Sequence, residues 1–138
     1  MSVGPSEFKF GVRVYYEDTD AAGIVYHANY LKYMERARTE WLRTLGFEQD
    51  DLARRFNLAF VVRDITLEFL RPARFNDLLM ATCQITRCGR ASIEFAQEVR
   101  NAGTVLCRGA VRVGCVNYRA MVPLRMPDEI FMRVKDAG

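Results

Sequence analysis

The chain has 138 residues, of which 50 % are hydrophobic and 27 % are charged, and its formal net charge is +3 at pH 7. This size and composition are typical of one globular domain, which we predict to span residues 1–138, and they argue against intrinsic disorder. The chain contains no apolar run of about 18 residues, so we expect no membrane span. The segment MSVGPSEFKF lacks a basic stretch followed by an apolar one, so we expect no secretory signal and a cytoplasmic location.

The first predicted element is a strand near the N-terminus. Hydrophobic residues alternate with polar ones from Phe8 to Tyr16, and period two is typical of a half-buried strand. The expected buried face consists of Phe8, Phe10, Val12, Val14 and Tyr16. An acidic turn and Gly23 then end this strand.

A long helix follows the acidic turn. Apolar residues recur at helical spacing, which predicts about 18 helical residues with a broad apolar stripe. We expect this helix to begin near His27 and to stop at Gly46, because glycine is the common residue just past a helix end. The segment DDLARRF predicts a further turn or two of helix. The stripe comprises Tyr30, Met34, Ala37, Trp41 and Leu45.

The pattern of the remaining chain predicts four strands and a short C-terminal helix near Pro127. In the first of these strands, Val61, Ile65, Leu67 and Phe69 are expected on one face. Short connections make neighbouring strands antiparallel. One apolar helix and one sheet of about five strands imply a sheet curled around the helix, which is the hotdog architecture of the α+β class. A single layer of this kind leaves an edge strand uncovered, so we expect subunits to pair.

The composition gives little support for metal or nucleic-acid chemistry. The chain has one histidine and no CxxC pair, whereas zinc sites use close ligand pairs, so we expect no metal and no cofactor. Arginines are spread along the chain without a basic cluster, so we expect no nucleic-acid partner. A diffuse basic excess suits a small anionic ligand equally well. The cysteines are predicted to be buried or half-buried thiols: Cys83, Cys88, Cys107 and Cys115.

The run VRVYYEDTDAAGIVYHANYLKYMERARTEWLR carries the most specific signal in the chain. Together with AFVVRDITLEFLRPARFNDLL, it closely resembles the 4-hydroxybenzoyl-CoA-thioesterase-like hotdog family, and within it the Tol–Pal-associated acyl-CoA thioesterases. The resemblance covers nearly the whole chain. It implies that Asp20, the second aspartate of the D-x-D pair, is the carboxylate that takes part in the reaction, and that His27 is also involved. It also implies homodimers, often paired into tetramers, with active sites at the subunit interface and acyl-CoA as substrate.

The same residues support thioester chemistry on physical grounds. The first amides of a helix have no internal partner, and the helix N-terminus carries roughly half a positive charge. The backbone N–H groups from Tyr26 to Ala28 could therefore stabilise an oxyanion, and Gly23 would let the chain turn tightly beside the ligand. Asp20 could attack the carbonyl directly or deprotonate a water molecule. His27 could orient the water, relay a proton or bind the carbonyl oxygen.

Each of these residues also has a plain structural interpretation. Asp18 and Asp20 are residue types that favour turns and helix caps, and we interpret Asp18 and Glu17 as structural. Tyr26 and Tyr30 could line an acyl pocket or simply pack.

Two arginines are candidates for contacts to the coenzyme. Arg90 could bind phosphate, although Gly89 and Ala91 stand where the related thioesterases have a denser basic stretch. Arg63 lies in an otherwise apolar strand, where it could form a salt bridge or touch the ligand.

Hydrolysis of an acyl-CoA or acyl carrier protein thioester is the leading functional hypothesis. The alternative is a non-catalytic acyl-CoA-binding or envelope-machinery interaction protein, which could do without the Asp20 carboxylate. A hotdog hydratase would need a second acid and histidine pair on another element, and the sequence offers none.

Overall fold

The computed structural model describes residues 7–138. One antiparallel sheet has the strand order β1-β3-β4-β5-β2, and three helices accompany it. The strands are β1 (Phe8–Arg13), β2 (Leu58–Phe69), β3 (Leu78–Cys88), β4 (Ser92–Asn101) and β5 (Thr104–Asn117), and the helices are α1 (Asn29–Thr44), α2 (Gln49–Phe56) and α3 (Asp128–Asp136). The predicted α+β class is confirmed. Within the described residues, no helix is both long and apolar enough to span a membrane.

Helix α1 is the predicted long helix, with 16 residues. It ends in a Schellman motif, in which the Phe47 amide donates to the Leu42 carbonyl and the Gly46 amide to the Arg43 carbonyl. Gly46 has φ of +91°, which is why glycine suits this position. The buried face is wider than the predicted stripe because Tyr33 and Leu42 join it, whereas Leu45 is half-buried.

Strand β1 is shorter than predicted, and the expectation that Tyr16 lies on its buried face is wrong. The strand ends at Arg13, and Tyr16 is 81 % exposed. The cause is local: the Asp18 carboxylate accepts a hydrogen bond from the Tyr15 amide at 2.8 Å, which closes a short 3₁₀ turn over Tyr16–Asp18. Such side-chain bonds compete with strand pairing.

Strand β2 lies at the edge of the sheet and pairs with β5 alone. A bulge at Arg63 interrupts the pairing between Val62 and Asp64. An extra residue reverses the alternation of faces, so the prediction that Val61 shares a face with Ile65 is wrong. Phe60 and Val62 instead face the cavity beside α1.

Helix α1 packs into the concave face of the sheet, over β3, β1 and β4. Met34 is fully buried there, and Gly109 of β5 leaves room for it: a β-carbon at Gly109 would lie 3.1 Å from the Met34 sulfur. Helix α3 contributes Ile130 and Val134 to the core. The cysteines are free thiols, and burial raises the pKa of Cys83 to about 12.

The convex face of the sheet carries paired charges. Arg100 of β4 donates to both carboxylate oxygens of Glu7 and pairs with Glu98 at 2.6 Å. Glu98 also contacts Arg108 of β5 at 3.3 Å, and Arg108 reaches Glu68 of β2 at 3.7 Å. This row of alternating charges joins three neighbouring strands on the face away from α1.

Candidate active site

The acidic segment forms a small hairpin between β1 and α1. Thr19 and Val25 form an isolated bridge, and the Asp20 amide donates to the Ile24 carbonyl at 2.8 Å. At the tip, the Gly23 amide donates to the Asp20 carbonyl at 3.0 Å, and Gly23 has φ of +79°. A residue with a β-carbon would be strained there, so the predicted role of Gly23 in a tight turn agrees with its conformation.

The Asp20 side chain occupies the first position of this turn. Its Oδ1 accepts a hydrogen bond from the Ala22 amide at 2.9 Å, and the residue is exposed. This one hydrogen bond agrees with the structural interpretation of Asp20 as a turn residue. A carboxylate has about four lone-pair sites, so that bond leaves Oδ2 able to accept a proton or attack a carbonyl carbon.

The amides at the start of α1 differ from the predicted set. The Tyr26 amide donates to the Asp18 carbonyl at 2.9 Å, so it is not free to bind an oxyanion. The helix begins at Asn29, two residues later than the histidine at which we expected its start. Within residues 7–138, the amides of His27 and Ala28 form no hydrogen bond, so these two amides of the predicted set are free to donate to a ligand.

The His27 ring lies among aromatic side chains. Its centroid is 4.4 Å from that of Tyr26 and 6.2 Å from that of Phe69, the last residue of β2. All three residues are exposed. Phe69 was predicted only to share a face of its strand with Ile65 and Leu67; its place beside the histidine was not predicted, because contacts between distant segments have no local signal.

Tyr30 is a core residue. It is 3 % exposed, and its ring meets those of Tyr33 and Phe69 edge-on. Its hydroxyl accepts a hydrogen bond from the Ala73 amide at 3.1 Å. Burial raises the pKa of this hydroxyl above its ordinary value. These contacts favour the packing interpretation of Tyr30 over the acyl-pocket one.

A cluster of polar groups joins the hairpin to the helix α1. The side chain of Asn29 donates to the Asp18 carbonyl at 2.8 Å. The nearby Tyr33 hydroxyl is buried and forms no hydrogen bond of ordinary geometry within the described residues. Burial first, and the Asp18 charge second, raise the pKa of Tyr33. Sequence reasoning missed Asn29, although an asparagine at a helix start is a common capping signal.

The two arginines predicted as candidates for coenzyme contacts have other neighbours in one copy of the chain, and their contact with a ligand stays a prediction. Arg63 is the bulged residue of β2, and its side chain crosses Gly114 on the face opposite Met34. Arg90 donates to the Met126 carbonyl at 2.9 Å, pairs with Asp128 at 2.8 Å and lies over the Phe131 ring at 4.4 Å. These three contacts attach α3 to the β3–β4 hairpin.

Two cavities lie away from the hairpin, and a third, of about 310 Å³, lies at its base beside Tyr15, Glu17 and Asp18. A groove of about 800 Å³ runs between α2, the start of β2 and the Tyr118–Arg119 segment. A second cavity of about 130 Å³ lies between α1 and the strands β2, β4 and β5. Neither is lined by Asp20 or His27, so both residues face solvent in one copy of the chain.

A five-stranded antiparallel sheet curled around one long helix defines a hotdog protein, as the sequence predicted. The carboxylate turn leading into open helix amides is an arrangement suited to acyl transfer.

Comparison with known proteins identifies the family. The model described as Thioesterase superfamily matches residues 22–108. The chain is 45 % identical over 123 residues to the acyl-CoA thioesterase YbgC of Haemophilus influenzae, covering 89 % of this chain and 90 % of that protein. It is 36 % identical over 124 residues to the acyl-CoA thioesterase YbgC of Helicobacter pylori, covering 83 % of this chain and 90 % of that protein.

A solved structure supports the same assignment. The probable thioesterase from Bartonella henselae superposes with a TM-score of 0.85 at 36 % identity, over 88 % of this chain and all of that one. The chain therefore belongs to the thioesterase superfamily. The predicted hotdog fold, the family resemblance and the prediction of a thioester hydrolase are confirmed.

Proposed function

We propose that the protein hydrolyses acyl-CoA thioesters to a free acid and coenzyme A, with Asp20 as the reacting carboxylate. The observation that carries this proposal is the hairpin, which presents the exposed Asp20 carboxylate on one arm and leads directly into the unpaired amides of His27 and Ala28. The names of relatives that are 45 % and 36 % identical support the substrate class.

In the proposed reaction the thioester oxygen accepts hydrogen bonds from the His27 and Ala28 amides. These amides lie just before the first residue of α1, at the positive end of the helix, so they would stabilise the negative charge that develops on the oxygen. Asp20 either attacks the carbonyl carbon, giving a mixed anhydride that water cleaves, or removes a proton from an attacking water. Coenzyme A leaves as a thiolate and needs no strong acid. In the nucleophilic route, the His27 imidazole then orients or deprotonates the water that cleaves the mixed anhydride; in the general-base route it orients the water whose proton Asp20 removes.

We further propose that a second copy of the chain completes this site. Strand β2 has 12 residues and one sheet neighbour, and Val62 and Phe69 on it are about half exposed. An edge of this length is a template for pairing with the same edge of another copy. The end of β2 carries Phe69 beside His27, so pairing along β2 would bring the partner against the catalytic hairpin. Pairing of two copies would exclude water from the hairpin, which is exposed in a single copy.

The proposal is tested by measuring free thiol release from acetyl-, butyryl-, palmitoyl- and hydroxybenzoyl-CoA with the wild type and Asp20→Asn. We expect wild-type turnover on at least one of them and a fall of about 10² to 10⁴ in kcat for the variant, which is what loss of a positioned base costs. Glu17→Asn is the matched control, because Glu17 is an exposed acid of the same segment and should keep wild-type activity.

Two results would contradict this assignment. Near-normal turnover by Asp20→Asn would remove Asp20 from the mechanism. Tight binding of a non-hydrolysable acyl-CoA by calorimetry, without thiol release from any thioester, would favour the non-catalytic binding protein. Acyl carrier protein thioesters run in parallel distinguish the carrier, and a role in the Tol–Pal machinery stays a prediction.

A further inference from the structure

One side chain ties the catalytic hairpin to the helix that follows it. Asn29 is the first residue of α1, it is 8 % exposed, and its Nδ2 donates to the Asp18 carbonyl at 2.8 Å. The same carbonyl oxygen accepts the Tyr26 amide at 2.9 Å. Both bonds end on the residue two positions before Asp20.

The two arms of the hairpin are held in different ways. The arm that leads into α1 is fixed by the Val25 amide, which donates to the Ala73 carbonyl at 2.8 Å, and by the Asn29 amide, which donates to the Tyr26 carbonyl at 2.9 Å. The arm that carries Asp20 meets α1 through the Asn29 side chain. The two arms are also joined to each other, since the Asp20 amide donates to the Ile24 carbonyl and the Tyr26 amide to the Asp18 carbonyl. The Asn29 side chain adds a direct bond from α1 to the arm that carries Asp20, and it therefore contributes to the spacing between the Asp20 carboxylate and the His27 and Ala28 amides.

We propose that Asn29 is a positioning residue for thioester hydrolysis: its side-chain bond to the Asp18 carbonyl holds the Asp20 carboxylate at the distance from the oxyanion amides that the reaction needs. This inference rests on the proposed function. It concerns geometry during the chemical step and not affinity, because Asn29 is buried and its side chain donates to the backbone of the hairpin.

A purely structural role for Asn29 makes a different prediction. The stability of α1 comes mainly from the apolar side chains of its buried face and from its Schellman motif; Asn29 is buried at the start of the helix but adds no apolar side chain to that face. Loss of the side chain still leaves the Asp18 carbonyl with the Tyr26 amide as partner. We therefore expect the fold to survive Asn29→Ala while the arm that carries Asp20 becomes loosely placed.

The test compares Asn29→Ala with the wild type on the best thioester substrate. We expect kcat to fall about tenfold to a hundredfold, because small displacements of a reacting group cost this much, while KM changes less than twofold. Asn29→Ser, which keeps a short hydrogen-bond donor, should recover part of kcat. Thr82→Val is the matched control: it removes the buried Thr82 hydroxyl, which accepts a hydrogen bond from the Glu98 amide between β3 and β4, and it should leave kcat unchanged.

A double-mutant cycle with Asp20→Asn distinguishes positioning from general damage. If Asn29 acts through Asp20, Asn29→Ala should reduce the residual rate of Asp20→Asn less than twofold. Equal losses in both backgrounds, wild-type kcat in Asn29→Ala, or an equal loss in Thr82→Val would each overturn the inference. Midpoints of urea unfolding identify a variant that fails to fold. If Asn29→Ala is such a variant, Asn29→Ser is compared with the wild type in its place. Absence of wild-type turnover would instead refute the proposed function, and the inference with it.

Discussion

Replacing Tyr30 by phenylalanine decides whether this residue serves the core or the substrate. The substitution removes the hydroxyl oxygen and keeps the ring, so the edge-on contacts with Tyr33 and Phe69 are retained. The oxygen that is lost accepts a hydrogen bond from the Ala73 amide, and Ala73 is fully buried. The variant therefore leaves a buried amide without a partner.

The expected cost follows from that orphaned amide. A buried donor left without an acceptor costs about 1–3 kcal/mol, so we expect the free energy of unfolding to fall by about 2 kcal/mol. Unfolding entropy near 2 cal/mol/K per residue, over a chain of 138 residues, converts this loss into a decrease of about 7 °C in Tm. Because the ring stays in place, kcat/KM should stay within about twofold of wild type.

Urea unfolding followed by fluorescence, together with a thermal scan, measures the change. Tyr16→Phe is the matched control, since Tyr16 is largely exposed and its free energy of unfolding should change by less than about 0.5 kcal/mol. An unfolding midpoint for Tyr30→Phe equal to that of wild type would refute the argument from the orphaned amide. A tenfold loss of kcat/KM with stability retained would show that the hydroxyl serves the substrate.

Two further substitutions test charged groups away from the hairpin. Burial raises the pKa of Glu98, but its hydrogen bonds to Arg100 and Arg108 outweigh burial and leave that pKa below its ordinary value. A lowered pKa in the folded state stabilises the protein above the unfolded-state pKa, and this stabilisation is lost as pH falls through the folded-state value. Glu98→Gln should therefore flatten the decline in unfolding free energy below about pH 4.5, which urea titrations from pH 6 to pH 3 would measure. Arg90→Met should lower the free energy of unfolding by roughly 1 to 2 kcal/mol, because the hydrogen bond to the Met126 carbonyl is lost. The same variant should keep the wild-type KM for acyl-CoA. A several-fold rise in KM would instead mean that Arg90 binds phosphate.

Much of the fold follows from local patterns. The helical spacing from Tyr30 to Trp41 and the glycine stop at Gly46 are properties of short windows, and both were predicted closely. The errors arose where one residue changes the local geometry. The Asp18 carboxylate ends β1 early by bonding the Tyr15 amide, and the bulge at Arg63 moves Val61 to the other face. Neither event changes the hydrophobic period enough to be read from the sequence.

The site was predictable to a smaller extent. The motif and the turn chemistry marked Asp20 and Gly23, because glycine and aspartate have strong local preferences. The free and occupied amides could not be distinguished, since the partner of Tyr26 is a carbonyl on the opposite arm of the hairpin. Phe69 reaches His27 from 42 positions along the chain, a contact that depends on how the sheet curls.

The exposure of the hairpin bears on how this fold performs hydrolysis. Hydrogen bonds to a developing oxyanion stabilise it most where water is excluded, because water competes for the same charge and weakens the electrostatic interaction. In one copy of the chain, Asp20 and His27 both face solvent. Helix α1 cannot cover them, since the site lies before its first turn, and the edge strand β2 that ends beside His27 has an unpaired side. A second copy bound along that edge would supply the missing wall, so subunit pairing is part of the proposed chemistry and not only a source of stability.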